Sequence, residues 1–159
     1  MINTEMSTIK HDVLQMKLMD KEIWRKIILS LCENPDLLSS VDDIKIEVPV
    51  LTDSNFIVGY IDIVVDFHMK YPTKDRNEWH HDEMHHRIFC EIKPAEPSFG
   101  SVVRQVKQYE THISNRQNRN ETYLLKGIYE HIWLVISPYP EWQKHLMSQG
   151  IYWLDSRTL

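Results

Sequence analysis

The chain has 159 residues, which fits one domain with a real core, and its 42% hydrophobic and 26% charged content is ordinary for a globular protein. Only four glycines and seven prolines exclude low complexity. A net charge of −5 counts against broad electrostatic attachment to nucleic acid, although clustered carboxylates in a metal site would contribute to it.

From the N-terminus, Met6 to Met19 carries apolar residues at Ile9, Val13, Leu14, Met16 and Leu18, as a helix would. Asp20 is placed to cap a second helix, Lys21 to Glu33, whose Ile23, Trp24, Ile27, Ile28 and Leu31 form a stripe. Asn34-Pro35-Asp36 stops it, and Asp36 to Val41 is expected to add a short helical turn. Ile44 to Val50 alternates like a strand. Asp53-Ser54-Asn55 is turn chemistry, so this strand and the one around Gly59 should form a hairpin. Met69 to His86 is polar and reads as a long hairpin tip or insertion. After Arg87 to Pro94, a strand, Ser98 or Ser101 caps a helix through about His112. Asn115 to Glu121 is expected as a loop and Thr122 to Tyr129 as a helical turn. His131 to Ser137 is a buried strand, Pro140 to Gln149 a short helix and Ile151 to Leu154 a last strand. The order ααβββαβαβ predicts a single α/β domain, a small mixed sheet flanked by helices on both faces.

Chemistry concentrates in two strands. Glu91 and Lys93 stand two residues apart, so they share a face with Phe89, while Ile88, Cys90 and Ile92 line the other. In the strand before, Ile61, Ile63, Val65 and Phe67 are expected on one face and Asp62 on the other, with Tyr60 and Val64. Charges in strands this apolar need pairing, a metal or a reaction. If the strands are neighbours, Asp62, Glu91 and Lys93 converge at a sheet edge. Two carboxylates suit a hard cation such as Mg²⁺ or Mn²⁺. Taken alone, an acid-x-Lys triplet is weak; Asp43-Ile44-Lys45 is another, and the bland alternative is a surface Glu–Lys pair.

The helix that follows adds Gln105 and Tyr109, four residues apart and so on one face. Gly59-Tyr60-Ile61-Asp62, Glu91-Ile92-Lys93 and Gln105 to Tyr109 together resemble the RecB-type branch of the PD-(D/E)XK nucleases. That branch has a Gly-x-x-Asp strand, a [D/E]xK strand and a helical QxxxY motif in this order. The resemblance spans roughly Lys21 to Ser137. It implies a restriction-endonuclease-like fold and a metal-dependent nuclease hydrolysing DNA. It also implies that Asp62 and Glu91 hold the metal with the Ile92 carbonyl, that Lys93 stabilises the transition state, and that Gln105 and Tyr109 orient Lys93 or the phosphate. Glu47 sits where such chains often have an acid. The sequence departs from the pattern after Asp62, where Ile63-Val64-Val65-Asp66 replaces Asp-Arg-x-Asp, and on the first core helix, where no histidine stands. Glu22 is the candidate there, which keeps the Holliday-junction resolvase branch open, and His11 lies upstream.

Two rivals remain: a nuclease-fold binding protein without catalysis, as a subunit or homo-oligomer, and a zinc-binding protein using His80, His81, His85 and His86. His81 and His85 could chelate only on a helix, and a solvated hairpin tip is the favoured reading. Trp79 in that segment is a candidate for stacking a base, whereas Trp133 and Trp153 read as core. Cys32 and Cys90 lie in apolar segments and read as buried and reduced, consistent with a cytoplasmic protein. Neither a signal peptide nor a membrane span is expected.

Overall fold

The computed structural model describes residues 2–95, 98–118 and 130–159. It is α/β: helices α1 (Ile2–Lys17), α2 (Lys21–Leu31), α3 (Phe99–Asn118) and α4 (Trp142–Ser148), with strands β1 (Leu38–Leu51), β2 (Ile57–Asp75), β3 (Glu78–Ile92), β4 (Glu130–Ser137) and β5 (Ile151–Asp155). The five strands form one sheet in chain order. β1, β2 and β3 pair antiparallel, whereas β3, β4 and β5 pair parallel through α3 and α4. Both parallel crossovers advance in the same direction across the sheet, so one handedness puts both helices on one face.

Accordingly, two cores lie on opposite faces. α3 and α4 bring Val102, Val106, Tyr109, Trp142 and Leu146 against Val64, Phe89, Trp133 and Val135. On the other face Leu18, Trp24, Ile27 and Ile28 pack on Ile63, Val65, Phe67, Ile88, Cys90 and Ile92. α2 begins where Asp20 accepts the Glu22 N–H at 2.8 Å, and the Trp24 indole donates to the Leu18 carbonyl at 2.6 Å.

Several expectations change. Only Pro35–Leu37 forms a short 3-10 turn; Leu38 already begins β1, whose long pairing with β2 outweighs local helical preference. α3 continues to Asn118, so residues 115–118 are helical; the rest of the expected loop, and the turn over 122–129, lie outside the described residues. Of the two expected alternatives, residues 69–86 form the hairpin tip, a continuous two-stranded ribbon closed where Asp75 pairs with Glu78. Arg76 and Asn77, both with positive φ (47° and 70°), make its two-residue turn. Cys32 is half-buried and Cys90 buried, and both are free thiols. Trp133 is core and Trp153 partly buried. No helix among the described residues is long and apolar enough to cross a membrane.

Candidate functional site

The site forms where β2 parts from β3. Their ladder starts only at Ile63 opposite Cys90. Beyond that point the Asp62 side chain replaces the missing backbone partner, and its Oδ2 accepts the Ile92 N–H at 2.7 Å. Opposite Asp62 in the register with β1 stands Glu47, with φ at 51°, in the left-handed region that a glutamate rarely adopts. The sheet is distorted here. Ile61 packs in the α3 core while Ile63 faces the α2 core, so the expected alternation holds from Ile63 onward but fails across Asp62. The acids also gather beside the central strand β3, not at a sheet edge.

Glu91 is 1% exposed. Its Oε2 accepts from Lys93 Nζ at 2.9 Å, whereas Oε1 is buried without a hydrogen-bond partner. Burial and the neighbouring Asp62 outweigh Lys93 and raise the Glu91 carboxyl to about 7. Burial pulls the Lys93 ammonium down, but the charge and hydrogen bond of Glu91, with Asp62, leave it above its ordinary value, so it is protonated. Gln105 donates to the Tyr109 hydroxyl at 3.1 Å. The buried Tyr109 ring lies over Gly59: a Cβ there would stand 2.0 Å from its hydroxyl oxygen. The glycine of the Gly-x-x-Asp stretch is thus required by the tyrosine of the helical motif.

α1 completes the cluster. His11 Nε2 lies 3.1 Å from Asp62 Oδ1, and this hydrogen bond, against burial, raises the imidazole to about 9. Gln15, buried, donates to the Asp62 carbonyl at 3.0 Å and to Glu47 Oε1 at 2.8 Å. Gln15 escaped sequence reading; its spacing of four from His11 was the available signal. Glu22 is exposed in the first turn of α2, and the helix residue that bonds Asp62 is His11.

Among the described residues, no three His, Cys, Asp or Glu side chains are grouped to enclose a metal ion. The donor chemistry nevertheless fits a hard divalent cation: Glu91 Oε1 lacks a partner, the Asp62 carboxylate is adjacent, and Ile92 bonds through its N–H on the β2 side, where its carbonyl also lies. Both Asp62 oxygens are engaged by His11 and Ile92, so a cation would exchange against the protonated His11.

The histidine segment is extended. On a strand His81 and His85 are separated by about 13 Å, too far to share an ion. Only its outer half is a solvated tip. His86 is buried, stacked on Phe67 and 3.3 Å from Glu130, with burial lowering its imidazole. His85 stacks on His68. Trp79 is exposed near the ribbon's end, with Lys74 above its ring. Comparison with protein-family models, with curated proteins and with solved structures finds no match to this chain.

Proposed function

We propose that this protein is a divalent-metal-dependent nuclease of restriction-endonuclease-like fold, resembling the RecB-type branch of the PD-(D/E)XK nucleases and hydrolysing DNA phosphodiester bonds. One observation carries the reading: a buried carboxylate, Glu91, bonded to a protonated lysine with its second oxygen unpartnered, next to Asp62. A fold gains nothing from burying a half-satisfied acid beside another acid, and such groups cluster where chemistry needs them. The Gly-x-x-Asp, ExK and QxxxY stretches also fall on adjacent strands and on the next helix, with Gly59 touching Tyr109.

Asp62, Glu91 and the Ile92 carbonyl are the residues to hold Mg²⁺ or Mn²⁺. Bound there, the cation supplies Lewis acidity towards a phosphate oxygen and lowers the pKa of a water. Lys93, kept cationic by its carboxylate neighbours, stabilises charge developing on the phosphate. Gln105 and Tyr109 hold a hydrogen-bonded pair that orients the lysine or the phosphate. Incubating plasmid, linear and single-stranded DNA with the protein and Mg²⁺, Mn²⁺ or EDTA tests the reading; cleavage with metal and none with EDTA is expected.

One observation favours a second reading, a binding subunit of the same fold without catalysis: both Asp62 oxygens are already bonded within the protein. Metal-independent DNA or protein binding with no cleavage under any cation would select it.

A further inference from the structure

Helix α1 uses one face on its own domain. Gln15 and Leu18 are buried, Leu14 is half-buried, and His11 reaches Asp62. On the opposite face Met6, Ile9, Val13 and Met16 are 52%, 62%, 62% and 72% exposed. Their spacing of three, four and three residues is that of a coiled-coil seam, with Met6 and Val13 at a positions and Ile9 and Met16 at d positions. In the sequence Ile2 falls four residues before Met6 and extends the same repeat. A single exposed apolar residue needs no explanation, but a helical seam at this period marks a partner helix.

The flanking charges say which partner. In this register Lys10 and Lys17 take e positions, and Asp12 takes a g position. In a parallel pair each g residue meets the e residue of the next heptad on the other helix. A second copy would therefore set Asp12 against Lys17, acid against base, on both sides of the seam. An antiparallel pair over the same seam would set Asp12 against Asp12 and Lys10 against Lys10, like against like. Lys10, Asp12 and Lys17 are exposed. Lys17 already donates to the Leu159 carbonyl and Asp12 lies against His11, but an ammonium has three donors and a carboxylate two oxygens.

We propose that two copies of this chain associate in parallel through α1, with Met6, Ile9, Val13 and Met16 as the seam and Asp12 facing Lys17 of the second copy. An isolated helix of this length is marginal in water. Here Leu14, Gln15 and Leu18 hold it formed, so association does not have to order it. An open groove of about 360 Å³ beside the seam, between Ile9, Val13, Pro94 and Pro138, offers further apolar surface. The seam is short, so the expected dimer is a micromolar one. The inference does not depend on the reaction proposed above.

Sedimentation equilibrium on the whole chain tests it. Wild type is expected to approach twice its 19.1 kDa at high micromolar concentration. Ile9→Asp and Val13→Glu should each weaken association by at least about tenfold, with circular dichroism and melting unchanged because both positions are exposed. If either alters melting, Met6→Lys and Met16→Lys probe the same seam. Asp12→Lys should weaken the dimer, and Lys17→Asp added to it should restore it. A wild type that stays monomeric, or a dimer indifferent to the seam variants, overturns the proposal. Association unchanged by Asp12→Lys, or not restored by adding Lys17→Asp, overturns the parallel arrangement, because an antiparallel pair would set Asp12 against Asp12 and leave Lys17 without an acid to meet.

Discussion

Asp62 Oδ2 accepts the backbone N–H of Ile92 at 2.7 Å, standing in for a strand that has turned away. The same carboxylate that closes the β2–β3 ladder is the one proposed to hold a cation. Asp62→Ala leaves that N–H without its partner and should cost about 1–3 kcal/mol in denaturant unfolding. Asp62→Asn keeps an accepting oxygen and should cost less. If Asp62 is a ligand, millimolar Mn²⁺ raises the melting temperature of wild type but not of Asp62→Asn. An equal shift in both proteins would place the cation elsewhere.

The His11–Asp62 pair gives a pH signature. Because the imidazole is raised from 6.5 to about 9 in the folded protein, its contribution to stability is complete below about pH 6.5 and disappears as pH rises through about 9. His11→Ala should therefore be less stable than wild type near pH 6, by on the order of 1 kcal/mol for this partly solvated pair, and equal to it near pH 10. Denaturant midpoints of the two proteins across that range measure the gap. A gap that persists unchanged at the alkaline end would assign His11 a packing role only.

Gly59 and Tyr109 are coupled by contact. A Cβ at position 59 would lie 2.0 Å from the tyrosine oxygen and 2.8 Å from Cζ. Gly59→Ala should destabilise by about 1–3 kcal/mol through overpacking. Adding Tyr109→Phe removes the worst clash and should recover part of that loss, so the two substitutions will not be additive in thermal or denaturant unfolding.

Arg87 and Asp66 form a buried bidentate pair, with Nε to Oδ1 at 2.5 Å and Nη2 to Oδ2 at 2.7 Å. Burial pushes the Asp66 carboxyl up, but Arg87, with His85, more than offsets this and holds it low. Arg87→Ala leaves the acid in the interior with only His85, 3.4 Å from Oδ1, beside it, and should cost about 3 kcal/mol. A loss below about 1 kcal/mol in urea unfolding would show that His85 or water takes over the acid.

The element order was legible because it rests on hydrophobic period: the α2 stripe, the alternation around Glu91 and the apolar run of β4 each have one burial pattern that works. The site was legible in part. Glu91, Lys93, Gln105 and Tyr109 are close in sequence and their spacing fixes shared faces. What escaped was set by tertiary structure. The distortion at Glu47 and Asp62 sends Ile61 and Ile63 to opposite cores, which no period-2 argument anticipates. Gln15 was missed, and His11, named beside Glu22, could not be preferred to it, because Gln15 and His11 reach the site only where α1 crosses it. The stretch over residues 69–86 read only as a hairpin tip or insertion, without its strands, because its outer residues are polar on both faces and its Arg76-Asn77 turn lacks the usual glycine.

Single-turnover DNA cleavage by wild type and Lys93→Ala, at saturating Mn²⁺ and with metal affinity measured by calorimetry on both proteins, tests the proposed nuclease site. Lys93 bonds Glu91 at 2.9 Å and is held protonated, so its loss removes a preorganised charge and should slow cleavage about 100- to 1000-fold. Metal affinity should hold or rise slightly, since a cation has left two acids. Gln105→Ala and Tyr109→Phe should cost less. Cleavage by Lys93→Ala at the wild-type rate would contradict the site, and no cleavage by wild type with any cation would contradict the activity.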